Sequence, residues 1–403
     1  MAGPAPSQLK PYAEGALASP TLQSQRCLPI FLICGMLASF LGAIFPAWGY
    51  HLRERFREVG DCFLSLNLGF LVSTAVGQRL LSRRGLKFTL ITANVLASAG
   101  FLLLGYYSPA PAERFAGVAV LGASAGLLTA CVFQAFSSLY ERRRDSAINL
   151  ASILFGIGCI VTALLVAGTY YVYTVSGILA LFAFIPALYA SYCARRTLLP
   201  EPASTPIPFS TVLKKLNNPS AVMFTLLLFF QFGNEWSIAG WLSIFLIRRL
   251  GISPQESLLL LALYWSALVI GRMVCPLVLQ SLGQTASLVG SIISSLLGAV
   301  VVASTNNRFG AIMGILFIGA GFACVYPLVV QKMEHRFPVY HPGLYQGIFS
   351  MAVTGGLLAP WLLGYIAEAW GIGAVMIAPM VVTGLVFLLI LLILLEAKLS
   401  GIT

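Results

Sequence analysis

Twelve long apolar runs, separated by short charged or Pro/Gly-rich breaks, dominate this sequence of 403 residues. A helix needs about 20 mostly apolar residues to cross the bilayer core, and each run is long enough. Hydrophobic residues make up 59% of the chain and charged residues only 9%, against about 25% charged in soluble domains. This composition excludes a soluble enzyme, a disordered chain and a nucleic-acid-binding domain. It predicts an all-α, polytopic membrane protein with spans at 27–50, 61–81, 87–107, 114–138, 146–169, 172–193, 220–247, 256–280, 285–304, 309–331, 343–367 and 372–396.

Two polar segments divide the chain. The first 26 residues are rich in Pro, Ala and Ser, and the long break at 194–219 holds five prolines and four basic residues. This break leaves six predicted spans on either side. We therefore expect a tail at 1–26, an N-terminal six-helix bundle at 27–193, a linker at 194–219 and a C-terminal six-helix bundle at 220–403.

Basic residues are distributed unequally between the two sides of the predicted membrane. Fifteen Lys and Arg lie on the side of both termini and the linker, and seven lie on the other; Arg79 and Arg272, inside spans, complete the 24. Lys and Arg collect in cytoplasmic loops of membrane proteins. We therefore expect a multi-pass protein of the cell membrane whose termini and linker are cytoplasmic.

The two halves share a sequence register. Trp48 and Trp241 are 193 positions apart, and the same offset aligns Ala-Cys-Val-Phe at 130–133 with Ala-Cys-Val-Tyr at 323–326. An internal repeat in an all-helical membrane protein is typical of secondary transporters, in which two similar bundles flank a midplane site.

The segment 78–87, between the second and third spans, reads Gln-Arg-Leu-Leu-Ser-Arg-Arg-Gly-Leu-Lys. Its Leu80, Arg83, Gly85 and Lys87 resemble the G-x-L-a-D-r-x-G-r-k loop of the major facilitator superfamily, although the first Gly and the Asp are replaced. With the six-plus-six division, the resemblance extends over essentially the whole chain. It implies the twelve-helix major facilitator fold and a gating or structural role for Arg83 and Gly85.

A narrower resemblance lies in the span 220–247. Gly233, Glu235, Ser237-Ile238 and Trp241 resemble the G-x-E-x-s-i-x-x-W pattern of the fucose:proton symporter family and its sodium–glucose relatives. That family tends to place an acid and an Asn in its fourth span, where this chain offers only Thr129 and Gln134. The resemblance implies a sugar substrate and coupling to H⁺, with Na⁺ as the alternative ion.

Glu235 is the one acidic residue of 13 that lies midway along a predicted span. An ionised carboxylate at this depth is costly, so such residues are rare and face polar cavities. Burial disfavours the charged form, which would let Glu235 take up and release a coupling proton; a sodium ion could also neutralise it. The structural alternative is a protonated Glu235 that braces an unwound segment at Gly233.

Polar and aromatic residues near Glu235 and elsewhere at midspan are the candidates for substrate binding. Helical spacing places Gln231 on the face of Glu235 and Asn234 and Trp241 at its edge, with Trp236 pointing elsewhere. The other candidates are Gln134, Trp265, Trp361, Tyr326, Asn67 and Gln346. For Trp361, an interfacial anchor is an equal alternative. Arg272 is assigned to gating or structure, with a clamp for a substrate anion as the alternative.

These features favour a monomeric secondary active transporter that moves a small polar solute, a sugar by resemblance, by alternating access coupled to H⁺ or Na⁺. Its partners would be that solute and the lipid bilayer, without nucleic acid. The scattered Cys and His predict neither a metal site nor a cofactor. Efflux of amphipathic drugs or metabolites is the alternative, because aromatic residues suit both substrate classes. A sensor or scaffold is disfavoured because it would need a sizeable soluble domain. A membrane enzyme is disfavoured because it would need clustered catalytic groups.

Overall fold

A computed structural model describes residues 26–51, 55–106, 111–135, 144–196, 198, 219–336 and 342–399, without the side chains of 49–51, 111, 133, 144–149, 334–336, 342–347 and 350. The predicted tail (1–26, except Arg26) and most of the predicted linker therefore lie outside the described residues. Within the described ranges the chain forms eleven long helices: α1 (Pro29–His51), α2 (Phe56–Tyr106), α3 (Pro111–Ala135), α4 (Arg144–Thr169), α5 (Val175–Arg195), α6 (Pro219–Leu250), α7 (Pro254–Leu282), α8 (Gln284–Ser304), α9 (Arg308–Arg336), α10 (Pro342–Trp370) and α11 (Ala374–Leu399).

The helix α2 accounts for two of the twelve predicted spans. Its 51 residues would extend about 75 Å if straight, well beyond the bilayer core of about 30 Å. Gly85 interrupts it with φ 78° and ψ 174°, a left-handed conformation that a side chain disfavours. Beside this turn, the Lys87 ammonium donates to the Ala194 carbonyl at 2.8 Å. The eleven helices thus agree with the predicted twelve spans, two of which meet at Gly85.

The helices form two bundles, α1–α5 and α6–α11, which meet along a shared interface. Three helix pairs make most of the contact between bundles: α1 with α6, α2 with α10, and α4 with α7. Large apolar side chains also cover the outside of the bundles, as on α11, where Val381, Leu388 and Leu395 follow one another at helical spacing and are exposed. This outward apolar face is what a lipid environment requires, and together with the two bundles it is the major facilitator architecture expected from the sequence.

Helix packing inside the N-terminal bundle depends on close backbone approach. A Cβ at Gly122 of α3 would overlap the Leu66 carbonyl oxygen of α2, whereas a Cβ at Gly168 of α4 would have no neighbour within 4 Å. Small residues at such crossings allow membrane helices to pack tightly.

We therefore expect Gly122→Ala to lower the melting temperature of the purified protein by several degrees, because α2 and α3 must separate to admit the methyl group. Gly168→Ala is the matched control. It should leave the melting temperature unchanged or raise it slightly, since Ala favours a helix over Gly by about 1 kcal/mol. Equal effects of both substitutions would contradict the packing argument.

Candidate functional site

A small cavity lies between the two bundles. The N-terminal bundle contributes residues of α1 and α2, and the C-terminal bundle contributes residues of α6, α7 and α10. Its lining is apolar and aromatic: Ala38, Phe63, Leu66, Trp236, Ala239, Trp265, Gly356, Leu357 and Pro360. Because both bundles supply walls, relative movement of the bundles would change this cavity.

Two tryptophans define the character of the cavity. Trp265 is almost fully buried, and its indole Nε1 has no hydrogen-bond partner among the described residues. Its ring contacts Phe155 of α4 edge-on at 6.4 Å between centroids. Trp236, which helical spacing placed off the candidate face, also lines the cavity. An aromatic wall can hold the flat apolar face of a ring.

Aromatic packing closes one end of the interface. Trp241 is fully buried, and its ring stacks on Phe63 of α2 at 6.4 Å with an interplanar angle of 30°. Its indole Nε1 donates to the Pro360 carbonyl of α10 at 2.9 Å. Trp241 thus closes the interface by joining α6 to both α2 and α10.

Further contacts between α2 and α10 lie at the same end, which we call the closed end (residues 56–63, 241 and 360–365). Asp61 accepts hydrogen bonds from Trp361 Nε1 at 3.3 Å and from the Tyr365 hydroxyl at 3.0 Å. The Arg57 guanidinium lies 4.9 Å from the centroid of the Tyr365 ring. Asp61 is therefore an acceptor shared by two donors from the opposite bundle.

A buried ion pair lies deeper in the interface. Arg272 Nη2 of α7 lies 3.3 Å from Glu235 Oε1 of α6, and the two side chains are 6% and 4% exposed. Arg272 Nη1 also donates to the Ser152 carbonyl of α4 at 3.2 Å. A charge in this environment is tolerated only when it is paired. The pair is formed within the C-terminal bundle, but Arg272 extends it to the N-terminal bundle.

The backbone around Glu235 is an intact helix. The Tyr264 hydroxyl of α7 donates to the main-chain carbonyl of Glu235 at 3.1 Å, and Asn234 Nδ2 donates to Thr383 Oγ1 of α11 at 3.1 Å. Because α6 is helical through Gly233, the expectation of an unwound segment there is wrong, whereas Glu235 does bond a neighbouring helix through Arg272. Asn234 faces α11 and lies outside the cavity lining.

Several polar atoms around the ion pair have no hydrogen-bond partner within the described structure. They are both side-chain atoms of Gln231, Oε2 of Glu235 and Nε of Arg272. Gln231 is completely buried and lies one helical turn before Glu235, on the same face of α6. Two donors and two acceptors are therefore unused among the described residues, on the ion pair itself and one helical turn before Glu235.

The remaining sequence-predicted residues have other surroundings in the structure. The Tyr326 ring packs on Phe232 at 5.4 Å, Gln134 is half-buried on α3, and the buried Asn67 leaves its Oδ1 without a partner. The side chain of Gln346 lies outside the described residues.

The residues assigned to gating by resemblance lie together, away from the ion pair. Arg83 is exposed on α2, and Gly85 forms the turn between the two arms of that helix. Sequence reasoning did not identify Trp236, Phe63 or Asp61. For Asp61 a signal existed, since it opens a predicted span as its first residue.

Comparisons with known proteins agree with this geometry. The family model of the Major Facilitator Superfamily matches residues 27–356. The "Protein TsgA homolog" of Buchnera aphidicola subsp. Baizongia pistaciae is 21% identical over 378 residues, which cover 90% of this chain and 92% of that protein. An uncharacterised MFS-type transporter of Yersinia pestis is 25% identical over 142 residues, 35% of this chain and 37% of that protein.

Two solved structures share the fold. The nucleoside transporter NupG, in a form with a single substitution, superposes with a TM-score of 0.71 at 13% identity over 92% of this chain and 99% of its own. The Escherichia coli fucose:proton symporter FucP, also in a form with a single substitution, gives a TM-score of 0.63 at 14% identity over 93% of this chain and 99% of its own. At this identity the similarity shows the fold alone.

The ion pair predicts a non-additive stability effect. Arg272→Leu leaves the Glu235 charge buried and unpaired, which costs about 3–5 kcal/mol where such pairs have been broken, so the melting temperature should fall markedly. Adding Glu235→Gln to Arg272→Leu should recover most of the loss, because the unpaired charge is then removed. Additive losses in the double variant, measured by thermal unfolding in one detergent, would contradict the pairing.

Proposed function

The chain belongs to the Major Facilitator Superfamily, and from that premise we propose that it is a secondary active transporter of a sugar or similar small polyhydroxylated solute. Transport would occur by alternating access coupled to H⁺ or Na⁺. Members of this superfamily are membrane transporters of small molecules and not enzymes. The observation that carries the proposal is the buried Glu235–Arg272 pair, because it links a titratable group to the contact between the bundles.

The ion pair suggests how coupling could work. While Glu235 is ionised, it holds Arg272 at 3.3 Å and Arg272 reaches the Ser152 carbonyl of the other bundle. A cation that neutralises Glu235 removes the counter-charge of Arg272. The buried guanidinium then favours a state in which it is rehydrated, which requires the bundles to separate at α4 and α7. Neutralisation and bundle movement are therefore energetically linked.

The cavity supports a neutral ring-shaped solute. Its lining holds no charged side chain, and Trp236 and Trp265 provide the aromatic surface on which the apolar face of a sugar or a base can stack. Fucose and nucleosides, which the names of the two structural neighbours give as their substrates, both present a flat face and several hydroxyl groups. These features support the class of solute, and they support import and export equally.

Export of amphipathic molecules is the second candidate function. It is favoured by one observation, namely that all nine lining residues of the cavity are apolar or aromatic. An amphipathic compound would bury apolar surface there without needing many hydrogen bonds.

We further propose that the closed end faces the exterior. The closed end is opposite to the side that holds the helix ends at residues 29, 219 and 399, and the excess of basic residues favours the cytoplasm for that side. The structure would then represent a state closed to the outside, with the termini cytoplasmic.

A thermal-shift screen of the purified protein tests the substrate class. Sugars, nucleosides and amphipathic cations would be compared at several pH values, with and without sodium. A ligand that binds the folded state raises the melting temperature, and the rise grows with the ratio of ligand concentration to Kd. Stabilisation by sugars or nucleosides supports the first function, stabilisation by the amphipathic compounds alone supports export, and no stabilisation by any class would contradict both.

We expect Trp265→Phe to weaken binding of the solute found in that screen about 2- to 10-fold, because the ring is retained and one hydrogen bond to the indole N–H is lost. Trp48→Phe is the matched control. Trp48 is equally buried and its Nε1 is equally without a partner, but it does not line the cavity. Equal losses in both variants, measured by titration, would remove Trp265 from the site.

We expect Glu235→Gln to abolish uphill accumulation of the solute in proteoliposomes, because the amide cannot exchange a proton or balance a sodium ion. Counterflow exchange, which needs only the movement of the loaded carrier, should persist at least in part. Concentrative uptake at the wild-type rate would remove Glu235 from the coupling step.

A further inference from the structure

The unused hydrogen-bonding groups beside Glu235 identify a role for a second residue of α6. Gln231 is fully buried, lies one turn before Glu235, and makes no hydrogen bond to any described residue through either Oε1 or Nε2. Buried amides in proteins are almost always hydrogen-bonded. The amide of Gln231 therefore keeps hydrogen-bonding capacity that the described residues do not use.

The two oxygens of the Glu235 carboxylate differ in their surroundings. Oε1 is paired with Arg272 at 3.3 Å, whereas Oε2 is buried and has no partner in the described part of the chain. A proton can therefore bind at Oε2 without displacing Arg272. Once it has bound, Oε2–H becomes a donor, and Gln231 Oε1 is an unused acceptor one turn away on the same helix face.

Sodium fits this position poorly. The guanidinium of Arg272 lies against the same carboxylate, so a second cation at Oε2 would experience like-charge repulsion in a medium of low dielectric. A hard cation also requires several oxygen ligands. Around Glu235, the described structure offers only two buried side-chain oxygens without partners, Glu235 Oε2 and Gln231 Oε1.

The other charged and titratable groups around Glu235 do not change this assignment. Arg272 and Tyr264 contact it from α7, and Cys159 of α4 acts on it over a longer distance. Along α1, α9, α10 and α11, the charged and titrating residues other than Cys and Tyr lie near the helix ends: His51, Arg308, Lys332, Glu334, His335, Arg336, Glu368, Glu396 and Lys398.

We propose that Gln231 is the positioning residue for a transported proton, because its Oε1 accepts the hydrogen bond that protonated Glu235 donates through Oε2. This inference rests on the proposed function and deepens it, since it assigns the coupling ion as H⁺. Hydronium transfers a proton to Oε2, a new O–H bond forms, and water is left. The resulting neutral carboxyl is held by Gln231 while the charge of Arg272 loses its counter-ion.

Infrared titration of the purified protein in lipid vesicles tests the proposal without any substrate. The carbonyl band of the protonated Glu235 carboxyl would be assigned by its loss in Glu235→Gln. Gln231→Met, which keeps the shape of the side chain, should move the midpoint of that band to lower pH by about half to one unit. The variant would lose a hydrogen bond that only protonated Glu235 makes. Because this loss destabilises the protonated form, the midpoint falls by about this amount.

Ser243→Ala is the matched control, because Ser243 is also fully buried on α6 with an unpartnered hydroxyl but lies two turns beyond Glu235. It should leave the midpoint unchanged. An unchanged midpoint in Gln231→Met, or a shift to higher pH, would overturn the role of Gln231.

The wild-type protein provides a test that does not depend on the folding of a variant. Replacing choline chloride with sodium chloride should leave the midpoint of the Glu235 band where it is. A midpoint that falls as sodium rises would show competition at Oε2 and overturn the assignment of the proton. Failure of the transport proposal would look different. The infrared midpoints would behave as expected here, but the protein would show neither uptake nor stabilisation by any ligand.

Discussion

The structure depends on keeping two opposite charges together at the centre of an apolar molecule. Glu235 and Arg272 are each almost completely buried, and in a medium of low dielectric either charge alone would be far more costly than the pair. This requirement fixes the register of α6 against α7. Because Arg272 also donates to the Ser152 carbonyl of α4, the same interaction spans the interface between the bundles.

The two bundles are similar in scaffold and different in chemistry. Trp48 and Trp241, which share a register of 193 positions, are both fully buried. The position that corresponds to Glu235 in the first half is Gly42, where a Cβ would overlap the Ala239 carbonyl of α6. One half thus supplies the charge and the other supplies a close backbone contact. Such asymmetry allows two related bundles to hold a single buried carboxylate.

Local sequence predicted much of the fold and part of the site. The helix breaks follow from charged and Pro/Gly-rich residues, and the turn at Gly85 lies where the apolar run ends, because a positive φ favours Gly. Glu235 was identifiable because a carboxylate in an apolar span is costly wherever it lies. Its partner could not be identified in this way. Arg272 lies 37 positions away, and helical spacing within one span does not show which face of another helix that span contacts. Likewise, the donors to Asp61 lie 300 and 304 positions away.

By itself, the sequence determined that the chain is a bundle of membrane-spanning helices with one midspan acid, because hydropathy and backbone hydrogen bonding act over a single helix. Tertiary structure decided which groups meet: that Trp236 lines the cavity, that Asn234 turns to α11, and that no described residue bonds the side chain of Gln231. These outcomes depend on the rotation and crossing of helices distant in sequence. Such geometry results from the packing of many weak contacts and cannot be inferred from any one segment.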